Sequence, residues 1–234
     1  MAKSSVLIIQ NDATENLGHY EELIRAQANV EVLHAYSMGF KDSFPGTDGY
    51  SAFIIGPTPI SANNVNCHQF LAKEWEFLSR VVGSGKPTLG VCCGGQMLAR
   101  LLGGEVVKSP QKEVGGYTVH LTEEGLADPL FRGFPAKVPV FHWHGEMFKV
   151  PPGGRLLVRG DLCPIQAFMW RNIRGIIFHL EIDHKEAEKW VVAYPSELEV
   201  VGKTQEQVLE ECRVREPEMR RLAERLVKNF LAMS

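Results

Sequence analysis

The chain has 234 residues, 44% of them hydrophobic and 23% charged, with a formal net charge of −3. That is enough apolar sequence to bury a core, and it excludes a disordered or collagen-like chain. A small net charge with interspersed signs argues against a nucleic-acid surface or one for anionic membranes, and no apolar run approaches the length that spans a bilayer.

The N-terminus MAKSS runs straight into a strand with no signal-peptide pattern, so no leader is expected. The first strand is predicted over 6–10, followed by a helix over about 17–27 and a second strand over 30–36. Residues 37–48 are rich in Gly, Ser, Asp and Pro and read as a loop. A nearly all-apolar third strand, 50–56, has the texture of a strand buried on both faces, and Gly56-Pro57-Thr58-Pro59 stops it. Phe70, Leu71, Trp75 and Leu78 then fall on one stripe of a helix over about 68–82, and 87–91 is the fourth strand. This β-α-β-loop-β-α-β order predicts an α/β fold with a parallel sheet and helices on both faces. Ligands in such sheets bind beyond the carboxyl ends of the strands, where Gly56 and Cys92 both sit.

From about 105 to 181 the texture changes to short strand candidates: EVVKSP, YTVHLT, VPVFHWH, RLLVRG, IQAFMW and IRGIIFHLE. These read as a small antiparallel extension plus further core strands. No Gly/Ser or Pro-rich linker divides the chain, so 1–234 is expected to be a single domain. The end is helical over about 204–232, with a capping box at Thr204 and Gln207 and with Pro217 fitting the first turn of a last helix. Met219, Leu222, Ala223, Leu226, Val227, Phe230 and Leu231 make an apolar stripe there, which packs on its own domain or meets a second copy of the chain.

The five cysteines are Cys67, Cys92, Cys93, Cys163 and Cys212. An odd number with two adjacent does not suggest a disulfide framework, and the lack of paired CxxC motifs argues against structural zinc. The usage reads as a reducing compartment, the cytoplasm. A functional cysteine there is better read as a nucleophile than as a staple.

The central motif is Gly90-Val91-Cys92-Cys93-Gly94-Gly95-Gln96, between an apolar strand and the helical run Met97 to Leu102. Strand, tight turn and helix are the context of a nucleophile elbow, here with cysteine for serine. Glycines at 90 and 94 let strand and helix approach closely. The helix N-terminus favours thiolate over thiol. The amide after the nucleophile, that of Cys93, is suitably placed for an oxyanion hole. The Cys93 side chain itself reads as a small packing group.

A cysteine nucleophile needs a base, and the base needs a group to hold it. Of eight histidines, His179 stands at the end of the apolar run GIIF with Glu181 two residues on, a spacing that puts both on one face of a strand. His142 and His144 of FHWHGE compete as bases. With Glu146 near they also make a conceivable metal pair, but no third ligand has clear spacing, so no metal is expected and the segment reads as a pocket wall.

These residues resemble the class I (triad) glutamine amidotransferases. GVCCGGQ, the later FHLE, IIGP at 54–57 and FHWHGE at 141–146 each match a block of that family. The closest match is to the stand-alone GMP-synthase-like group, in which EVGGYTVHLTEEGLADPLF and the C-terminal helices are also familiar, so the resemblance covers nearly the whole chain. It implies a flavodoxin-like open, mostly parallel sheet and a Cys92–His179–Glu181 triad that hydrolyses the glutamine side-chain amide through a thioester. It also implies oxyanion donors at Gly56 and Cys93, a glutamine contact at Gln96, and a substrate-lining segment at Trp143, Gly145 and Glu146. The chain departs from the family at three places. One glycine rather than two precedes Pro57, Cys93 replaces a larger apolar residue, and Gly95 stands where histidine is common.

No P-loop pattern occurs, so ATP chemistry in this chain is not expected, and no cofactor is implied. Ammonia would pass to a separate synthetase subunit. Otherwise the enzyme acts alone on glutamine or another γ-glutamyl amide or peptide, or the scaffold serves as a non-catalytic regulatory domain.

Overall fold

The computed structural model describes residues 4–234; residues 1–3, on which the expectation of no leader partly rests, lie outside it. The elements in chain order are β1 (Ser5–Gln10), α1 (Gly18–Arg25), β2 (Asn29–His34), β3 (Ala52–Ile55), α2 (Gln69–Ser84), β4 (Thr88–Val91) and α3 (Cys93–Leu101). There follow β5 (Val106–Leu121), α4 (Glu123–Ala127), β6 (Lys137–Phe148), β7 (Arg155–Arg159), β8 (Ala167–Trp170) and β9 (Ile173–Ile176). The chain ends with α5 (His184–Ala193), α6 (Pro195–Val201) and α7 (Gln205–Leu231).

The strands form one nine-stranded sheet in the order β2-β1-β3-β4-β9-β8-β7-β5-β6. The first five strands in that order pair in parallel and the last five, sharing β9, pair antiparallel. The fold is therefore α/β with an evenly mixed sheet, and the antiparallel part is half of it rather than a small extension. EVVKSP and YTVHLT are not two strands. They are one, β5, with a register break between Lys108 and Glu113 that absorbs the polar residues between them.

Alternation along β1 shows how the layers form. Val6 and Ile8 point into a core shared with Tyr20 and Ile24 of α1, Trp190 of α5, and Leu222 and Phe230 of α7. Leu7 and Ile9 point into a second core with Phe77 and Leu78 of α2 and Met97 and Leu98 of α3. Helices cover both faces, as the period-2 burial of a parallel sheet requires. The α7 stripe packs on this sheet: Met219, Leu222, Ala223, Leu226 and Phe230 are all fully buried.

Pro217 does not begin a helix. It lies inside the continuous α7, whose start is the capping box of Thr204 and Gln207. A proline there lacks the amide that would bond to the carbonyl four residues back, a cost of about 3 kcal/mol in a helix interior. Burial of the apolar stripe on either side of it offsets that cost.

Beyond β8 the sheet curls. β6, at its far edge, returns to the segment after β9, where Phe141 and His179 exchange backbone hydrogen bonds of 3.0 and 2.8 Å. IRGIIFHLE is thus a strand only through Ile176. This closure brings the 141–146 segment beside the carboxyl ends of β4 and β9.

Candidate active site

Cys92 joins β4 to α3 at φ 51 and ψ −113, a left-handed conformation that non-glycine residues rarely adopt. Its amide donates to the Ile176 carbonyl at 2.8 Å and its carbonyl accepts from Gln96 at 3.1 Å, so both flanks of the strained residue are pinned. The glycines around it are there for space. A Cβ on Gly94 would strike the Ile55 carbonyl oxygen, and one on Gly90 would come within 2.6 Å of the Gly94 backbone. Cys93 is 2% exposed, and its thiol bonds to the Ile60 carbonyl at 3.2 Å. Burial pushes that thiol well above its ordinary pKa, so it packs as a neutral group.

His179 is fully buried. Its Nδ1 lies 2.5 Å from Glu181 Oε1, and Glu181 Oε2 accepts the Leu180 amide at 3.0 Å. Burial alone would lower the His179 pKa. The Glu181 carboxylate, and Cys92 on its other side, outweigh burial and raise it. The ring stands edge-on to Trp190 at 5.0 Å. The segment that carries the pair is tied to α1: the His19 amide donates to the Glu181 carbonyl at 3.1 Å, an approach that leaves no room for a Cβ at Gly18.

Gly56 behaves differently from the sequence expectation. Its amide completes the ladder to β1 by donating to the Ile9 carbonyl at 2.8 Å, so it is not free for an oxyanion. Its carbonyl accepts from Asn11 Nδ2 at 3.3 Å, and the same amide group donates to the buried Glu74 at 3.1 Å.

A cavity of about 300 Å³ opens over Cys92. Gln96, Trp143, Gly145 and Glu146 line it together with Cys93. Gln96 Nε2 donates to the Glu146 carbonyl at 3.2 Å, and His144 Nδ1 meets the same oxygen at 3.1 Å. The lining also holds three residues that sequence reasoning missed: Glu15 from the loop after β1, Tyr194 between α5 and α6, and Glu197 of α6. Glu197 pairs with Lys112 of the β5 irregularity at 2.7 Å. Only the closeness of the two acids to ND and YPS turns marked them in sequence.

Glu113 was also missed. The β5–β6 register sets it opposite His144, and its Oε2 lies 3.1 Å from His144 Nε2 and 3.0 Å from Gln166 Nε2. His142 is buried beside them, and burial with His144 and His179 nearby holds it neutral. One ligand atom each from Glu113, His144 and Cys163 lie within 4.8 Å of one another, so the fold supplies the third ligand that linear spacing lacked. Glu113 accepts a hydrogen bond from Gln166, however, while His144 turns its Nδ1 to the Glu146 carbonyl, and the cluster reads as a polar support for that carbonyl.

Fold and cysteine turn together define an α/β protein of the amidotransferase type. The chain belongs to the family described as glutamine amidotransferase class-I, whose sequence pattern matches residues 7–210. It is similar to the glutamine amidotransferase-like protein YfeJ of Salmonella typhimurium, 29% identical over 148 residues, a match spanning 62% of each chain. It is also similar to one of the subunits of the glutamine-hydrolyzing GMP synthase of Sulfurisphaera tokodaii, 30% identical over 172 residues, 72% of this chain and 87% of that one. Among solved structures, a glutamine amidotransferase from Thermotoga maritima superposes with a TM-score of 0.88 at 25% identity, over 99% of both chains. One from Methylobacillus flagellatus superposes at 0.86 and 24% identity, over 99% of this chain and 95% of that one. No helix among the described residues is long and apolar enough to cross a membrane.

Proposed function

We propose that the protein hydrolyses the side-chain amide of glutamine and releases ammonia, with Cys92 as nucleophile, His179 as general acid and base, and Glu181 as the group that orients His179. The observation that carries this is the strained Cys92 at the mouth of the cavity, backed by a buried His179–Glu181 pair at 2.5 Å.

The steps follow from the electrostatics. A raised His179 pKa beside Cys92 favours imidazolium and thiolate. The thiolate attacks the amide carbon, and the Cys93 amide at the start of α3 donates to the developing oxyanion. His179 gives its proton to the departing nitrogen, ammonia leaves, and a γ-glutamyl thioester remains. His179 then takes a proton from water, which attacks the thioester and frees glutamate and the thiolate. Gly56 joins the oxyanion hole only when the 55–56 peptide turns away from Ile9; Gly56, as the lone glycine before Pro57, makes that turn this chain's own variable.

Gln96, Trp143, Gly145 and Glu146 form the amino-acid end of the site in this reading. The order β2-β1-β3-β4-β9 is that of a flavodoxin-like sheet, with the cavity at its switch point, and the chain functions as one catalytic domain. The relatives that are themselves subunits of glutamine-hydrolyzing GMP synthases support delivery of ammonia to a separate synthetase partner. Five unpaired cysteines fit a reducing cytoplasm.

Cys92→Ala should abolish ammonia release and block labelling by a glutamine-derived diazoketone, with the circular-dichroism spectrum unchanged. A Cys92→Ala protein that still turned over glutamine at the wild-type rate would sink the assignment. Comparison of glutamine with γ-glutamyl peptides separates an amidotransferase from a γ-glutamyl hydrolase. Absence of labelling in the wild type would point to a regulatory domain.

A further inference from the structure

Glu15 is not used by the mechanism above, yet it is placed like a functional group. It is only 6% exposed and lines the Cys92 cavity. Its backbone is fixed by Asp12, whose Oδ1 accepts the amides of Thr14 and Glu15 at 2.7 and 3.0 Å. The loop it sits on leaves β1 at the switch point, where β1 lies between β2 on one side and β3 on the other. That is where open α/β sheets take ligands.

Glu15 makes no ion pair among the described residues, and of the two lysines that line the cavity, Lys108 and Lys112, the second is already paired with Glu197. Burial raises the Glu15 pKa to about 7, against the opposing pull of His179 and the nearby Tyr194 hydroxyl. A carboxyl so buried is costly to ionise unless something positive arrives beside it. Two aromatic rings complete the surroundings. Trp143 and Tyr194 line the same cavity, with centroids 6.0 Å apart and planes at 54°. A buried carboxyl that shares a cavity with two aromatic rings suits an organic cation.

We propose that Glu15, Trp143 and Tyr194 form an ammonium-binding subsite in the Cys92 cavity, and that the substrate carries a cationic nitrogen seated there. The proposal rests on the amide-hydrolase reading and narrows its substrate class. The nitrogen has two sources, the α-ammonium of a glutamine-like substrate or an amine borne by the leaving group.

Calorimetry with Cys92→Ala protein tests both, using two matched pairs. One is L-glutamine against glutaramate, which lacks the α-amino group. The other is γ-glutamyl-aminobutylamide against γ-glutamyl-butylamide. In the Cys92→Ala background one pair should favour its ammonium-bearing member by roughly 10- to 100-fold, the range of a charge-assisted hydrogen bond. Adding Glu15→Gln should collapse that preference to less than about 3-fold, and adding Glu15→Asp, which keeps the charge, should retain part of it. The pair that responds identifies the source. A preference unaffected by Glu15→Gln, no preference in either pair, or an equal loss for both members of a pair would overturn the subsite. Ammonia release by Cys92-intact protein is measured alongside. If it is absent while the preference and its loss persist, the hydrolase reading fails and the subsite stands.

Discussion

Glu74 gives a quantitative test of how the ground beneath the site is built. It lies on α2, fully buried, with one oxygen accepting Asn11 Nδ2 at 3.1 Å and the other without a partner among the described residues. Burial raises its pKa from 4.5 to about 8, although the Asn11 hydrogen bond works in the opposite direction. The folded protein therefore keeps a proton that the unfolded chain gives up above about pH 4.5. Stability contributed by this group is present in full below that pH and is lost as pH rises through the folded value near 8. The gap from 4.5 to about 8 corresponds to on the order of 3–6 kcal/mol, at about 1.4 kcal/mol per pKa unit. Glu74→Gln keeps the shape and the acceptor for Asn11 but has no proton to lose. Urea denaturation at pH 5, 6.5 and 8.5 should give similar stabilities for the two proteins at the lowest pH. The variant should be more stable by several kcal/mol at the highest. His179 also contributes a slope, but it is common to both proteins, so the difference isolates Glu74. Parallel stability–pH profiles would refute the assignment of a protonated carboxyl beneath the Gly56 turn.

Glu181→Gln removes the carboxylate that keeps His179 protonated. It should cut kcat by about 100- to 10,000-fold and move the alkylation profile of Cys92 with iodoacetamide toward higher pH. A Cβ at Gly94 meets main chain at Ile55, which cannot swing aside; Gly94→Ala should cost at least about 2 kcal/mol in urea denaturation and displace Cys92 enough to lower the rate. Pro217→Ala restores the missing helical hydrogen bond inside α7 and should stabilise the protein by about 1–3 kcal/mol, read as a higher Tm with ammonia release unchanged.

Those features differ in how far they could be read from sequence. Strands β1, β3 and β4 are short apolar runs between turn residues, and such runs survive any tertiary arrangement because burial on both faces leaves no alternative. The Cys92 turn is local too: glycine, cysteine and glycine between a strand and a helix specify it within seven residues. Pairing partners are not local. β5 crosses the polar residues SPQK, which a propensity argument splits into two strands, because β6 holds both halves through the irregularity. The segment after Ile176 is apolar enough to be a strand. It leaves β9 because the Cys92 amide takes the Ile176 carbonyl and Phe141 then takes His179. Glu15, Tyr194 and Glu113 are ordinary polar residues in sequence, and only the curl of the sheet and the fold of the C-terminal helices bury them beside the cavity.

The buried charges of the site have to balance, and that constraint bears on the substrate. In the proposed mechanism His179 as imidazolium stands between Glu181 and the Cys92 thiolate, so the triad alone would carry one excess negative charge. His142 is neutral and contributes nothing. Glu15, when ionised, would add a second negative charge in the same low-dielectric cavity, which is what its burial and raised pKa oppose. A neutral amide entering the cavity would leave Glu15 protonated and unused. A substrate bearing an ammonium lets Glu15 ionise against the ligand, so the proposed pair adds no net charge to the cavity. Thioester formation in the proposed mechanism does not alter that sum: the thiolate's charge and the imidazolium's proton disappear together, and the one excess negative charge passes to Glu181, which the fold already holds through the Leu180 amide.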